Sequence, residues 1–179
     1  MKDLDSTTIR EIGVPSEVLM ERAALKVVEE TEKYLQKDER ILVVCGSGNN
    51  GGDGIAVARL FHLKGIRVEF YMVGNKDKMT RETALQYKIA SGYRVPEVNN
   101  PQWSEYTTIV DAVFGVGLTR PIEGHYADII HEMNSARAKK IAVDIPSGVN
   151  GDTGLEMGIA FSADLTVTFA YRKRGLCFY

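Results

Sequence analysis

Ile41-Leu42-Val43-Val44-Cys45-Gly46-Ser47-Gly48-Asn49-Asn50-Gly51-Gly52-Asp53-Gly54 is the stretch that decides the fold. Its first five residues form a short apolar run, the mark of a strand buried on both faces. Glycine stops the run, and five of the nine residues from Gly46 to Gly54 are glycine. Beyond the loop, Ile55, Val57, Ala58, Leu60, Phe61 and Leu63 recur at helical spacing as far as Gly65. Strand, glycine loop and helix are the first half of a βαβ unit, which commits the following strand to parallel pairing through a crossover.

Working outward, the same alternation continues. Pro15-Ser16 opens an amphipathic helix through Leu35, with Val18, Leu19, Ala23, Val27 and Val28 on its apolar side. After the central unit come a strand at Val68 to Val73, a helix at Asp77 to Ser91, a strand at Thr107 to Val113, a helix at Tyr126 to Arg137 and a strand at Lys140 to Asp144. Leu165 to Phe169 and Leu176 to Tyr179 read as two further strands. The expectation is an α/β fold: a doubly wound, mostly parallel Rossmann-like sheet with helices on both faces, in three layers and one domain over residues 1–179, with truncation of that domain at its C-terminal end left open.

Composition narrows the function classes. The chain has 179 residues, 44% hydrophobic and 26% charged, and its 22 basic and 24 acidic side chains leave a net charge of −2. No global field recruits nucleic acid or an anionic membrane, so an anionic ligand has to be held by local geometry. Met1-Lys2-Asp3-Leu4-Asp5 lacks the basic and apolar regions of a signal peptide, and no apolar run approaches the ~20 residues of a membrane helix. A cytoplasmic protein is expected, with Cys45 and Cys177 as buried thiols in a reducing compartment.

In open α/β sheets ligands bind beyond the carboxyl ends of the strands, at a switch in strand order. Three strand-end loops are unusual: Gly46 to Gly54, Asp111 to Pro121, and Asp144-Ile145-Pro146-Ser147-Gly148. The first opens a helix, so backbone N–H groups and the helix dipole can meet a phosphate or pyrophosphate. A bulky residue at Gly51 is expected to block binding while sparing the fold, provided its φ is negative. Gly46, Gly48 and Gly51 also spell G-x-G-x-x-G, but no acid closes the second strand to hold a ribose, Glu69 coming too early. No G-K-[ST] follows, which removes the P-loop. Asp111 and Asp144 end neighbouring strands and would repel unless a cation or a proton separates their roles. His62, His125 and His131 show no ligand spacing, and Arg172-Lys173-Arg174 reads as a solvated run with a lesser prospect of reaching a phosphate. Trp103, alone among polar residues, has no functional reading.

Together these loops resemble the YjeF N-terminal domain family, the NAD(P)HX epimerases. The resemblance runs from Gly13-Val14-Pro15-Ser16 and Leu19-Met20-Glu21 through Asn49 to Gly54, Asp111 to Pro121 and Asp144 to Gly148, and ends at Phe169-Ala170-Tyr171. It implies an isomerase of metabolite repair that converts the R form of hydrated NADH or NADPH into the S form consumed by an ADP- or ATP-dependent dehydratase, separate or fused after Tyr179. It implies a substrate site at Asn49, Asn50, Gly51, Gly52, Asp53, Gly115, Val116, Gly117, Leu118, Thr119, Arg120, Pro121 and Asp144, with Asp144 as the substrate-contacting acid; from its place at a buried strand end beside the glycine loop, Asp144 is expected to be catalytic and carry the acid–base step, the alternative being that it only positions the substrate by hydrogen bonding. By the same resemblance Asn50, Asp111 and Ser147 ligate a potassium ion, a hard cation suited to oxygen donors, and the protein is a homodimer that binds neither nucleic acid nor membrane. Two positions depart from the family pattern: Glu21-Arg22-Ala23-Ala24 stands where Glu-Asn-Ala-Gly is common, and Arg172 where proline is common. Two rival readings are a non-catalytic dimerisation or binding module of the same fold and a nucleotide-dependent oxidoreductase. The presence of Asn50, Asp53, Asp111, Asp144 and Ser147 disfavours the first, and the missing ribose acid the second.

Overall fold

The computed structural model describes residues 11–169, 171 and 173–179. Helix α1 (Ser16–Glu32) leads into β1 (Arg40–Cys45), α2 (Asn49–Leu63), β2 (Arg67–Met72), α3 (Arg81–Gly92), β3 (Thr108–Ala112), α4 (His125–Ser135), β4 (Lys139–Val143) and β5 (Leu165–Val167). All five strands are parallel, in the order β2-β1-β3-β4-β5. Val43 is in register with Phe70 on one side and Val110 on the other, so β1 is central and every side chain from Ile41 to Cys45 is buried.

Strand alternation sorts the core into two layers. Ile41, Val43 and Cys45 point to the face covered by α1, α2 and α3, where Phe61, Val27, Ala90 and Phe70 join them. Leu42 and Val44 point to the opposite face, closed by Ile129, Ile130 and Met133 of α4 together with Phe161. The expected three-layer α/β architecture is present, with unequal cover: three helices on one face, one on the other. The return from α3 to β3 crosses the second face without an α-helix, and Trp103 in its 3₁₀ turn (Trp103–Glu105) sets a ring edge against Tyr71 at 6.4 Å. That packing accounts for the tryptophan. Just before this crossover, Phe70 of β2 forms a parallel bridge with Glu97.

Three expectations change. Leu176 to Tyr179 is not a strand: Arg174–Cys177 is a 3₁₀ turn, because Gly175 docks against the backbone of Asn150 and Gly151 and bends the chain away from the sheet. Cys177 is exposed as a result, whereas Cys45 is buried and its burial pushes the thiol up. The helix expected from Asp77 starts later, at Arg81; Asn75 instead caps a 3₁₀ turn through Asp77, and Thr80 caps α3 through the Thr83 N–H at 3.3 Å. Among the described residues no helix is long and apolar enough to cross a membrane.

Candidate active site

The order 2-1-3-4-5 reverses direction at β1, so the loops after β1 and β3 diverge and leave a crevice between them. A cleft of about 590 Å³ opens there, within the ~300–1,000 Å³ usual for small-molecule sites. Its walls come from four strand ends. Ser47, Gly48, Asn49, Asn50 and Asp53 follow β1, Val113 to Arg120 follow β3, Asp144 follows β4, and Phe169 and Lys173 follow β5. Thr80 and Tyr126 complete the rim, Tyr126 packing at a tilt of 54° against Phe114 with ring centres 4.9 Å apart.

Gly48 is the N-cap of α2 in extended conformation (φ −81°, ψ 179°) and, being glycine, brings no side chain of its own to cap the helix. Its carbonyl accepts from the Gly51 and Gly52 N–H groups and, at 2.8 Å, from the Thr83 hydroxyl, which pins the loop from α3. The start of a 15-residue helix therefore faces the cleft with its dipole and with the Asn49 and Asn50 N–H groups, which have no hydrogen-bond partner among the described residues. Gly51 and Gly52 do not line it. A Cβ at Gly51 would sit 2.6 Å from the Gly46 carbonyl carbon and closer still to its oxygen, and one at Gly52 would strike Met20 and Thr83. The backbone condition at Gly51 is met but the space is not, so bulk there breaks the loop rather than sparing the fold.

Asp111 and Ser147 lie beneath the cleft floor, both fully buried. The carboxylate accepts from the Val113 N–H (3.1 Å), the Ser147 N–H (2.7 Å) and the Ser147 hydroxyl (2.6 Å), and the Ser147 oxygen in turn accepts from the Phe114 N–H at 2.8 Å. Burial nevertheless pushes the Asp111 carboxyl up to about 6, against the opposing pull of Ser147 and Val113. Asn50 closes the other side, against Gly115, and its buried side-chain nitrogen has no hydrogen-bond partner.

Asp144 is one of three described non-glycine residues with positive φ (69°), a strained conformation that tends to gather at functional sites. Its side chain is ion-paired with Lys173, whose own side chain is only 4% exposed. Lys173 therefore leaves the solvated face expected of it and lies in the cleft wall. The separation of the two acids follows: Asp111 is held by three donors below the floor, and Asp144 is met by a lysine above it. Arg172 and Ala170 lie outside the described residues, and Arg22 is exposed on α1.

Of the thirteen residues expected to hold substrate, ten line the cleft; Gly51 and Gly52 pack behind it and Pro121 is exposed outside it. None of the three histidines lines it. Glu69 is engaged elsewhere, with Arg40 at 3.1 Å and the Tyr106 hydroxyl at 2.7 Å, and is not placed as a ribose acid. Of the other cleft residues, Ser47, Gly48, Val113 and Phe114 belong to the strand-end loops already singled out, and Thr80, Tyr126, Phe169 and Lys173 were not expected to bind substrate. For Lys173 the available signal was a basic residue just past the strand that lies beside Asp144's.

The profile of the family described as YjeF-related protein N-terminus matches residues 16–175. The chain belongs to that family. Within it, curated relatives named NAD(P)H-hydrate epimerase match nearly the whole chain. The protein of Oenococcus oeni is 50% identical over 178 residues, 97% of this chain and 84% of the relative. That of Limosilactobacillus fermentum is 46% identical over 177 residues, 98% and 85%, and that of Limosilactobacillus reuteri is 49% identical over 178 residues, 98% and 84%. The crystal structure of yeast ynu0 shares the fold, with a TM-score of 0.87 at 23% identity over 99% of this chain and 80% of that one.

Proposed function

We propose that this chain is an NAD(P)H-hydrate epimerase, an isomerase that interconverts the R and S forms of hydrated NADH and NADPH. One observation carries the reading. A single cleft joins a helix start at Gly48 to Asn50 with an anchored carboxylate at Asp144, as a dinucleotide with a pyrophosphate and a reactive ring would require. The pyrophosphate rests on the first turn of α2, where N–H groups and the dipole favour negative charge. Asn49, Asp53 and the 115–120 loop hold the rest of the dinucleotide, and the Phe114 and Tyr126 rings offer an apolar wall for a base or ring.

Asp144 carries the proton steps. In its acid form it gives a proton to the departing hydroxyl, so water leaves and an iminium-like cation remains on the ring. The resulting carboxylate stabilises that cation, and it recovers a proton when water adds to the opposite face. Every proton and the water molecule return, as an epimerisation demands.

Asn50, Asp111 and Ser147 fit a potassium ion in donor chemistry. They supply a carboxylate without a cationic side chain beside it among the described residues, a hydroxyl, and the side-chain oxygen of a buried amide whose nitrogen makes no hydrogen bond among those residues. The ion would supply fixed positive charge under the 114–115 backbone. The wider reading is a cytoplasmic repair enzyme, a homodimer in one domain over 1–179, that feeds an S-specific ADP- or ATP-dependent dehydratase.

The test mixes R and S hydrates with such a dehydratase. Addition of this protein is expected to let the R fraction be consumed; an R fraction that decays only at its spontaneous rate refutes the function. Asp144→Asn is expected to bind the dinucleotide and lose on the order of a hundredfold in turnover.

A further inference from the structure

The Asp144 carboxylate is held by one oxygen only. Among the described residues, every hydrogen bond to its side chain ends on Oδ1, from Lys173 Nζ, the Phe169 N–H at 3.3 Å and the Thr168 hydroxyl at 3.5 Å. Lys173 has three acceptors in turn: Asp144 Oδ1, Thr168 Oγ1 at 2.7 Å and the Phe169 carbonyl at 3.1 Å. An ammonium has three protons, so Lys173 is saturated. With its side chain 4% exposed, against 14% for Asp144, it stands behind the carboxylate rather than in front of it.

We propose that Lys173, with Thr168, is a positioning residue of the reaction: it clamps Oδ1 of Asp144 from the β5 side and turns Oδ2 toward the cleft as the oxygen that exchanges protons. The inference rests on the acid–base reading of Asp144 and adds to it the oxygen that reacts and the group that aims it. A saturated, enclosed ammonium is poorly placed to pass its own proton to substrate without breaking one of three bonds, which assigns it the supporting role. Thr168 serves both partners, since its oxygen accepts from the lysine and its proton remains for Asp144. The clamp also opposes rotation of a side chain whose backbone is already strained, and a reacting group displaced by about 1 Å can cost a hundredfold in rate.

Steady-state kinetics of Lys173→Met, Asp144→Asn and the double variant, each under the dehydratase-coupled assay, decide it. Lys173→Met is expected to lose at least tenfold in kcat with KM within about threefold of wild type. Because the lysine acts through the aspartate, the double variant should turn over within about twofold of Asp144→Asn alone. Should Lys173→Met fail to fold with its carboxylate stranded, the double variant, which strands no charge, still gives that comparison. A wild-type kcat in Lys173→Met, a loss confined to KM, or a further tenfold loss in the double variant overturns the positioning role. If Asp144→Asn is slow and Lys173→Met is not, this proposal alone fails. If Asp144→Asn itself turns over at the wild-type rate, the acid–base reading fails and carries the proposal with it.

Discussion

Two glycines in the same loop, three residues apart, should respond oppositely to the same methyl group. Gly48 has φ −81° and ψ 179°, an extended conformation that alanine adopts without strain, and a Cβ there meets no protein atom within 4 Å. Its effect on stability is small: restricting the unfolded chain gains about 0.4–1 kcal/mol, which offsets the poorer N-capping of alanine, itself on the order of 1 kcal/mol. What the methyl enters is the cleft, in front of the helix start that is to receive the pyrophosphate. The loss of one charge-assisted N–H···phosphate hydrogen bond is worth about 1.5–3 kcal/mol, or roughly 10- to 150-fold in affinity. Gly51→Ala is the counterpart, because its Cβ collides with the Gly46 peptide on the inside of the turn. Calorimetric melting together with dinucleotide titration separates the two. Gly48→Ala should keep Tm within a few degrees and bind at least tenfold more weakly, and Gly51→Ala should melt well below wild type. Undiminished dinucleotide affinity in a folded Gly48→Ala protein would refute the placement of the pyrophosphate.

Asp111 makes stability depend on pH in an unusual direction. Its carboxyl titrates near 6 in the folded protein and near 3.8 unfolded, so between those values the folded state holds a proton the unfolded state has released. In potassium-free buffer this group's contribution falls as pH rises from about 4 to 6, by roughly 3 kcal/mol for two pKa units. Melting curves should show that slope disappear in Asp111→Asn. Added potassium should raise wild-type Tm at pH 7 and not at pH 4, and equal effects at both would argue against a cation beside Asp111. Thr83→Val removes the third donor from the Gly48 carbonyl and should cost about 1 kcal/mol in stability by urea titration; no change would show that α3 does not pin the loop.

The strands and the glycine loop were legible because they depend on local chemistry. An apolar run buried on both faces and a glycine that must let backbone approach backbone both leave a mark on a single segment. The switch-point rule then put the right three loops around one crevice. What stayed illegible depends on pairing across the fold. Lys173 sits in a basic tripeptide, and nothing in those three residues says that the middle one turns inward to meet a carboxylate 29 positions earlier. The last four residues look like a strand by composition, but a strand needs a neighbour to pair with, and Gly175 ties the segment to the 150–151 turn instead. Gly51 carries the same lesson in reverse: its letter announces a functional glycine, and only the fold shows that its freedom serves the turn.

The bridge between Phe70 and Glu97 reaches beyond β2. The Phe70 N–H donates to the Pro96 carbonyl at 3.0 Å and its carbonyl accepts from the Val98 N–H at 2.9 Å, so at Phe70 the outward ladder groups of β2 are taken by its own chain. At the far side β5 offers only three residues. A parallel sheet with a rich apolar core is a template for accretion wherever a border lies open, and the β2 border is blunted at its middle by a patch of the same polypeptide. On the β2 side a second copy of this chain would meet an interrupted ladder, so a contact there draws on side chains, where substitutions can tune or abolish it, more than on an extended sheet.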